Sequence, residues 1–160
     1  MAAGPLANEG GRQQHGFLRF ALLGSGSRGN GLLVECGPTA ILVDCGFSLK
    51  ETERRLARLG REACELDAIL VTHEHGDHVD GIGPLARKYD IPVWLTPGTH
   101  AALGAPATNR LPQCRLFAAH EDFSIDAIAV HPYTVPHDAR EPCQFVFSDG
   151  ARRLGLLTDV

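Results

Sequence analysis

Three imidazoles and one carboxylate fall within residues 73–78, in the order H-E-H-G-D-H. In an extended segment alternate side chains point to the same side, so His73 and His75 face the same way. The glycine after them lets the chain turn, so that Asp77 and His78 begin a following helix. Two imidazoles on one side, with a carboxylate and an imidazole on the other, predict ligands for two adjacent divalent ions. Zinc is the first choice for such ligands, with manganese and iron as alternatives.

The alternative explanation for this cluster is a polar surface loop that happens to be rich in histidine. An apolar run, Ala68–Thr72, leads directly into the cluster and predicts a buried strand. Polar groups buried next to such a strand would each carry a desolvation cost if they had no partner. The sequence therefore favours metal binding over an accidental histidine-rich loop.

The elements that must hold this cluster in place are short. Apolar runs bounded by turn residues predict strands at Phe17–Leu23, Leu32–Glu35, Ala40–Asp44, Ala68–Thr72, Ile91–Thr96, Phe123–Ile125, Ala127–Tyr133, Cys143–Phe147 and Arg153–Leu157. Helices are predicted from the N-cap Ser48 to about Leu59, at Gly81–Tyr89 and at Pro97–Leu103, with residues 104–114 as a loop. Strands in succession with helices between them indicate a layered α/β sandwich.

A glycine-rich turn at residues 24–31 matches a dinucleotide-binding fingerprint, G-x-G-x-x-G, and Asp44 lies 20 positions after its first glycine. That mode of binding requires a helix directly after the glycines. The chain continues instead with a short apolar run that ends at Gly37 and Pro38. We therefore interpret the turn as a link between paired strands. Arg28 within it is a candidate for contact with a substrate phosphate, although an exposed arginine more often has no specific role.

The composition is that of an ordinary globular domain, with 160 residues, 44% hydrophobic and 21% charged. A net charge of −4 argues against binding nucleic acid through an overall positive field. No apolar run reaches the roughly 18 residues that a membrane span requires. Residues 1–16 are small and polar and predict a disordered tail, followed by one domain at residues 17–160.

The five cysteines are scattered and form no C-x-x-C pair: Cys36, Cys45, Cys64, Cys114 and Cys143. This pattern predicts reduced thiols that serve as small core residues, and therefore a cytoplasmic protein. Metal ligation by cysteine is disfavoured because histidines supply the obvious ligands.

The histidine cluster at residues 73–78 and several matches elsewhere in the chain resemble the metallo-β-lactamase superfamily. The resemblance extends from Phe17 to the end. The segment at residues 73–78 matches the signature metal loop of that family. Asp44, in L-V-D-C-G, matches an aspartate that supports the loop from behind the ligands. His137, in V-P-H-D-A, matches the next metal-ligand histidine, and Asp159, in L-T-D, matches the carboxylate that bridges the two ions.

The resemblance implies an αββα sandwich and a hydrolase that uses a dinuclear site and a bridging hydroxide. The metal ligands that it implies are His73, His75, Asp77, His78, His137 and Asp159. Asp77 would also act in catalysis by orienting the attacking water. Its presence in the loop is typical of the two-metal phosphodiesterase branches of the superfamily.

Residue chemistry alone does not choose His137 over His131, which lies six residues earlier on the same extended segment. A lone histidine in such a segment is more often structural than a ligand. The family pattern favours His137 as the ligand. His131 would then either contact the ligands without binding the metal or have no role in the site. His15, His100 and His120 have no clustered partners and are interpreted as ordinary surface or loop residues.

Within the superfamily the likeness is greatest to the YycJ-like (WalJ-like) group of bacterial proteins. The matching stretches are L-L-G-S-G-S-R-G-N at 22–30, V-T-H-E-H-G-D-H at 71–78, L-A-R-K-Y at 85–89 and H-D-A-R-E-P at 137–142. This likeness implies a phosphodiester substrate, DNA above all, and exonuclease-like cleavage.

Two alternatives stay open. Other branches of the superfamily hydrolyse thioesters or other esters with the same metals. The family also needs one more histidine beyond the bridging aspartate, and the second half of the sandwich, which a chain ending at Val160 does not contain. The chain thus resembles the N-terminal half to two-thirds of the domain, and the remaining hypothesis is an inactive fragment or an interaction module.

Overall fold

The structure, a computed structural model, describes residues 16–160, so the predicted tail lies outside it except for Gly16. Ten strands occur in this range: β1 Leu18–Gly24, β2 Gly31–Cys36, β3 Thr39–Val43, β4 Ala68–Leu70, β5 Val93–Leu95, β6 Cys114–Leu116, β7 Phe123–Ile125, β8 Ile128–Thr134, β9 Cys143–Ser148 and β10 Arg153–Leu156. The same range contains five helices: α1 Leu49–Arg58, α2 Gly76–Val79, α3 Ile82–Tyr89, α4 Pro97–Leu103 and α5 Ala105–Thr108. A 3-10 turn, Ala63–Glu65, precedes β4.

The larger sheet has the strand order β1-β2-β3-β4-β5-β6. Tight turns join β1 to β2 and β2 to β3, so these strands pair antiparallel. The glycine-rich turn at residues 24–31 is the first of these links, as predicted. From β3 onward, α1, α3 and their neighbours cross over between strands, and β3 to β6 are parallel. The carboxyl ends of these parallel strands therefore lie at one edge of the sheet.

The smaller sheet has the order β10-β9-β8-β7 and is antiparallel throughout. In β8, Ile128, Val130 and Pro132 are buried, whereas Ala129 and His131 between them are half-buried. This alternation shows that one face of the sheet packs inward.

Helices cover one face of the larger sheet. On this face Leu33, Leu42 and Ile69 of the central strands pack with Leu56 of α1 and Leu85 of α3. All five side chains are almost completely buried. Burial of an aliphatic side chain of this size stabilises the fold by roughly 1.5–3 kcal/mol. We call this the helix–sheet core.

The opposite face of the larger sheet packs against the smaller sheet. Val34, Ile41 and Leu70, which alternate with the residues of the helix–sheet core, meet Phe145 and Phe147 of β9. We call this the sheet–sheet core. The described residues thus form a helix layer and two sheets, which are three of the four layers of the predicted αββα sandwich.

The helices differ from prediction in one region. α1 begins as predicted at Ser48, whose Oγ accepts from the N–H of Glu51 (3.3 Å). The prediction of a loop at residues 104–114 is wrong in part, because α5 occupies Ala105–Thr108. Its proline is in the first turn, where a missing N–H breaks no helical hydrogen bond. Within residues 16–160 every helix is too short or too polar to cross a membrane.

All five cysteines are free. Cys36, Cys45 and Cys143 are buried, which confirms their prediction as small core residues. The same prediction is wrong for Cys64 and Cys114, which are exposed. Cys64 lies in the 3-10 turn, and Cys114 begins β6, an edge strand whose residues are all exposed and which the sequence did not predict.

Candidate metal centre

The carboxyl ends of β3 and β4 place the first candidate residues side by side. The two strands are parallel neighbours, with Val43 opposite Leu70. The N–H of Asp44, directly after β3, donates to Leu70 O (2.9 Å). The metal loop, residues 73–78, follows β4 almost at once. Asp44 and the loop therefore lie at the edge of the sheet where α/β proteins commonly hold their ligands.

The smaller sheet brings two further candidates to the same edge. Strands β8 and β10 each end three residues before a predicted ligand, His137 and Asp159. At the start of β9 the N–H of Cys143 donates to Thr72 O (2.9 Å). This hydrogen bond fixes the smaller sheet against the start of the metal loop.

The predicted ligands form two overlapping groups around His73. Ligand atoms lie within 4.8 Å of one another in the first triad, His73, His75 and His137, and in the second triad, His73, His78 and Asp159. The centroid of the His73 ring lies 4.6 Å from that of His75, 4.1 Å from that of His78 and 4.8 Å from that of His137. Four imidazoles this close together, with a carboxylate beside them, have the donor set of a zinc-type site.

Two carboxylates lie on the more open side of this cluster. Asp159 Oδ2 lies 2.8 Å from His78 Nε2 and 3.6 Å from His73 Nε2, which places it beside both imidazoles of the second triad. Asp77 Oδ2 lies 3.6 Å from His78 Nε2, although Asp77 belongs to neither triad. The side chains of Asp159 and Asp77 are 46% and 32% exposed, whereas those of His73 and His78 are buried. These two carboxylates are therefore accessible to solvent while the rings of His73 and His78 are not.

Asp44 lies buried beneath the cluster. Its carboxylate accepts from the Thr72 N–H (2.8 Å), from the Thr72 hydroxyl (2.7 Å) and from His78 Nδ1 (2.7 Å). Its backbone is left-handed, with φ 58°, a conformation that aspartate tolerates better than most residues. Asp44 therefore contacts the metal loop from behind, in the position predicted for it.

These hydrogen bonds determine which nitrogen of each ring faces the triads. The Nδ1 of His78 carries the proton that it donates to Asp44, so Nε2 points to the second triad. The single hydroxyl hydrogen of Thr72 goes to Asp44, so the Thr72 oxygen accepts from His73 Nδ1 (2.9 Å). The free nitrogen of His73 is therefore Nε2. The carboxylate of Asp44 thus orients both rings, that of His73 through the Thr72 hydroxyl and that of His78 directly.

The free nitrogen of His73 fits a metal ion. It is buried and has no hydrogen-bond partner within residues 16–160. The pKa of His73 is lowered to about 4, first by burial and then by the charges of His78, His75 and His137, against the opposing effect of Asp44. The ring is therefore neutral at neutral pH, and its Nε2 carries a lone pair that accepts no hydrogen bond from the described residues. A divalent cation would satisfy it, so the residues present fit a metal centre.

His78 in the second triad differs from His73, because its surroundings favour the protonated ring. Burial opposes a charge on His78, but the hydrogen bond to Asp44 and the negative charges of Asp44, Asp77 and Asp159 outweigh burial and raise its pKa. The same three carboxylates would favour a divalent cation at this position. A metal ligand must lose its proton, so binding at His78 is expected to release one.

Polar contacts from two glutamates hold the loop that carries His137. Glu74 Oε1 accepts from the N–H of Arg140 (2.7 Å), which ties this loop to the metal loop. Glu141 Oε2 accepts from the N–H of Gly98 (2.6 Å) in the first turn of α4. The position of His137 thus depends on residues from three separate segments.

The structure brings together the six predicted ligands: His73, His75, Asp77, His78, His137 and Asp159. Their role as ligands stays a prediction. The structure separates His131 from these six residues. His131 Nδ1 lies 2.7 Å from Asp122 Oδ2, and His131 belongs to neither triad. His100 in α4 and His120 also lie outside both triads, and His15 lies outside the described residues.

Three residues with direct contacts in the site were not predicted: Asn30, Thr72 and Glu74. The Nδ2 of Asn30 donates to Asp77 Oδ2 (3.0 Å) across 47 residues of sequence. Nothing local in the sequence signals such a contact, because an asparagine at the end of a glycine-rich turn is typical of turns in general. Thr72 and Glu74 are adjacent to predicted ligands, and this proximity was their only signal.

Comparison with known proteins agrees with this geometry. The profile of the Beta-lactamase superfamily domain matches residues 39–160, and the chain belongs to this family. The chain is 40% identical over 144 residues to the Exodeoxyribonuclease YycJ of Bacillus anthracis, covering 89% of this chain and 54% of that protein. It is 35% identical over 147 residues to the Exodeoxyribonuclease WalJ of Streptococcus pneumoniae serotype 2, covering 88% and 54%. The chain thus spans about half the length of these curated relatives.

Solved structures confirm the fold. The chain superposes on the Rm3 metallo-beta-lactamase with a TM-score of 0.69, at 20% identity, over 84% of this chain and 56% of that one. At this level of identity the likeness concerns the fold alone. The metallo-β-lactamase fold that the sequence implied is therefore confirmed.

Proposed function

We propose that this chain carries the site of a metal-dependent phosphodiesterase that acts on DNA, with exonuclease-like cleavage. The observation that carries the proposal is the buried, unpaired Nε2 of His73 at the centre of two ligand triads. The curated relatives named as exodeoxyribonucleases support a nucleic-acid substrate. The five free cysteines fit a reducing compartment, and we place the protein in the cytoplasm.

The donor atoms suit two divalent ions, with zinc as the first choice and manganese or iron as alternatives. One ion would be held by His73, His75 and His137, the other by His78 and Asp77, with Asp159 in contact with both. When bound, such a pair supplies a nucleophilic water near neutral pH and neutralises the oxygens of a phosphate.

The residues of the chain have distinct tasks in this chemistry. Asp44 and Thr72 hold the rings of His73 and His78 with Nε2 facing inward. Asp77, whose carboxylate is partly exposed beside His78, is placed to accept a hydrogen bond from the attacking water and so to orient it.

Arg28 is a candidate contact for a phosphate of the same DNA strand. Arg28 lines an open cleft of about 670 Å³, formed by the glycine-rich turn and the start of α1. Gly46 lines the same cleft, and its backbone lies against Asp77. An arginine at this position would contact a backbone phosphate without reading the base sequence.

Metal content tests the first half of the proposal. The purified chain, stripped with a chelator and reloaded with Zn²⁺ or Mn²⁺, should retain two ions per chain by elemental analysis. His73→Ala should lose this capacity because His73 belongs to both triads. His131→Ala is the matched control and should behave as the unchanged chain. Fewer than one bound ion per chain would instead support an inactive fragment or an interaction module.

Substrate choice tests the second half. The reloaded chain should shorten an end-labelled DNA strand and hydrolyse a simple nitrophenyl phosphodiester, and Asp77→Ala should abolish both activities. A generic thioester, offered under the same conditions, should stay intact. Hydrolysis of the thioester with no action on either phosphodiester would overturn the assignment in favour of the ester-hydrolase branches. Cleavage of RNA in preference to DNA would correct the substrate within the same class.

A further inference from the structure

The glycine-rich turn at residues 24–31 packs directly on the metal loop. The N–H of Asn30 donates to Asp77 O (2.8 Å), and the N–H of Gly46 donates to Asn30 O (3.0 Å). A Cβ at Gly46 would lie only 1.7 Å from Asp77 O, so a glycine is required for this close approach. The turn that resembles a dinucleotide fingerprint therefore serves as packing for the metal loop.

The side chain of Asn30 extends this contact to the carboxylate of Asp77. The N–H of Gly26 donates to Asn30 Oδ1 (3.0 Å), which fixes the orientation of the amide. Its Nδ2 then faces four atoms: Gly26 O at 3.1 Å, Asp77 O at 3.3 Å, Asp77 Oδ2 at 3.0 Å and His78 Nε2 at 3.1 Å. The amide has two hydrogens, and the charged Asp77 carboxylate oxygen is the strongest acceptor among these four atoms.

We infer that Asn30 is a positioning residue for the second metal ion, because its amide holds Asp77 Oδ2, the oxygen that lies 3.6 Å from His78 Nε2. This inference rests on the proposed function. A neutral amide suits the task, because it donates to Asp77 without adding a positive charge that would compete with the ion. It also links the turn to Asp77, whose side chain is partly exposed to solvent.

A purely structural role for Asn30 predicts something different. Asparagine stabilises many turns through hydrogen bonds to nearby backbone, and Asn30 makes such bonds with Gly26. If that were its only role, its loss would weaken the whole site through the stability of the turn. If Asn30 acts through Asp77, its loss should weaken one ion only, and the effect should disappear when Asp77 is absent.

The test is a zinc titration of the metal-free chain against a chromophoric chelator, which resolves the first and second ions. Asn30→Ala should weaken binding of the second ion by about 10- to 100-fold, the usual effect of removing an outer partner of a ligand. Affinity for the first ion should match that of Ser27→Ala, which changes an exposed residue of the same turn. In an Asp77→Ala background, Asn30→Ala should cause no further loss.

Three results would overturn the inference. They are unchanged binding of the second ion, equal weakening of both ions together with a lower melting temperature, and an undiminished effect of Asn30→Ala in the Asp77→Ala background. If Asn30→Ala does not fold, Asn30→Ser keeps a turn-compatible polar residue that is too short to reach Asp77, and it carries the same expectations. An unchanged chain that binds less than one ion would overturn the proposed function itself. A chain that binds two ions with no effect of Asn30 would overturn this inference alone.

Discussion

At the scale of single residues, Asp44 is the point at which backbone and site chemistry meet. It adopts a left-handed conformation, ends the strand β3 and accepts three hydrogen bonds while only 2% exposed. Through these bonds it determines which nitrogens of His73 and His78 face the triads. A carboxylate buried in this way is stable because every contact that it makes is a hydrogen bond to its charged form.

Replacement of this carboxylate by an amide should separate geometry from charge. Asn tolerates the left-handed backbone, but in Asp44→Asn one acceptor oxygen becomes a donor that faces Thr72 or His78. We expect zinc affinity to fall by about 10- to 100-fold and the free energy of unfolding of the metal-free chain to fall by about 1–3 kcal/mol. Zinc titration and urea denaturation measure the two effects. Asp126→Asn, at an exposed aspartate with φ 46°, is the control and should change neither quantity. Unaltered zinc affinity in Asp44→Asn would contradict this account.

How much of the site can be predicted from the sequence depends on how far apart in the sequence the contacting residues lie. The candidate ligands in the metal loop could be proposed from the sequence alone, because four donors within six residues need little tertiary information. Asp159 and His137 required a family resemblance, since an isolated aspartate or histidine has many other uses. Asn30 could not be predicted, because its contact with Asp77 depends on how a turn packs across the sheet edge.

At the scale of elements, the strong local signals of the sequence agree with the structure. The Ser48 cap, the proline that begins α4 and the glycine turns all have a local physical cause, and each was predicted. The strand β6 was not predicted, because it is only three residues long and all three are exposed. It exists because it completes a parallel edge next to β5, which is a tertiary cause.

The helix α1 carries an ion-pair network whose effect on stability should depend on pH. Glu51 accepts from Arg54 Nε (2.9 Å) and Arg55 Nε (2.7 Å), and these hydrogen bonds, the one from Arg54 first, lower the pKa of Glu51 to about 2. A carboxyl group with a lowered folded-state pKa stabilises the fold above its unfolded value of 4.5. This contribution disappears as the pH falls from 4.5 toward 2.

Comparison of the unchanged chain with Glu51→Gln, both metal-free, measures this contribution by urea denaturation. The difference in unfolding free energy should be constant from pH 7 to pH 5 and should shrink steadily below pH 4.5. In an Arg54→Gln background the effect of Glu51→Gln should be smaller at every pH, since one hydrogen-bond donor is gone. A difference that does not change with pH would show that Glu51 contributes through packing and not through its charge.

At the scale of the whole molecule, two cores share one sheet. Adjacent residues of β2 and β3 alternate between them: Leu33 and Leu42 enter the helix–sheet core, and Val34 and Ile41 enter the sheet–sheet core. Disorder in one core would therefore disturb the strands that form the other. The layered α/β architecture could be predicted from the order of the elements, but the sharing of strands between two cores required the strand register.

Two buried cysteines report on the two cores separately and test whether they unfold together. Cys45 lies in the helix–sheet core and Cys143 in the sheet–sheet core. Burial raises the pKa of both thiols, that of Cys143 to about 12, so neither reacts as a thiolate in the folded chain. We expect a thiol reagent to modify exposed Cys64 and Cys114 at once, and Cys45 and Cys143 only upon unfolding.

Mass spectrometry after a short pulse of reagent at increasing urea concentration would follow each cysteine. Because β2 and β3 belong to both cores, Cys45 and Cys143 should become reactive with the same midpoint and the same steepness. Cys64→Ser and Cys114→Ser, which remove the exposed thiols, should leave that midpoint unchanged. A lower midpoint for Cys143 would mean that the smaller sheet opens on its own. His137 and Asp159 would then move away from the metal loop before the rest of the fold is lost.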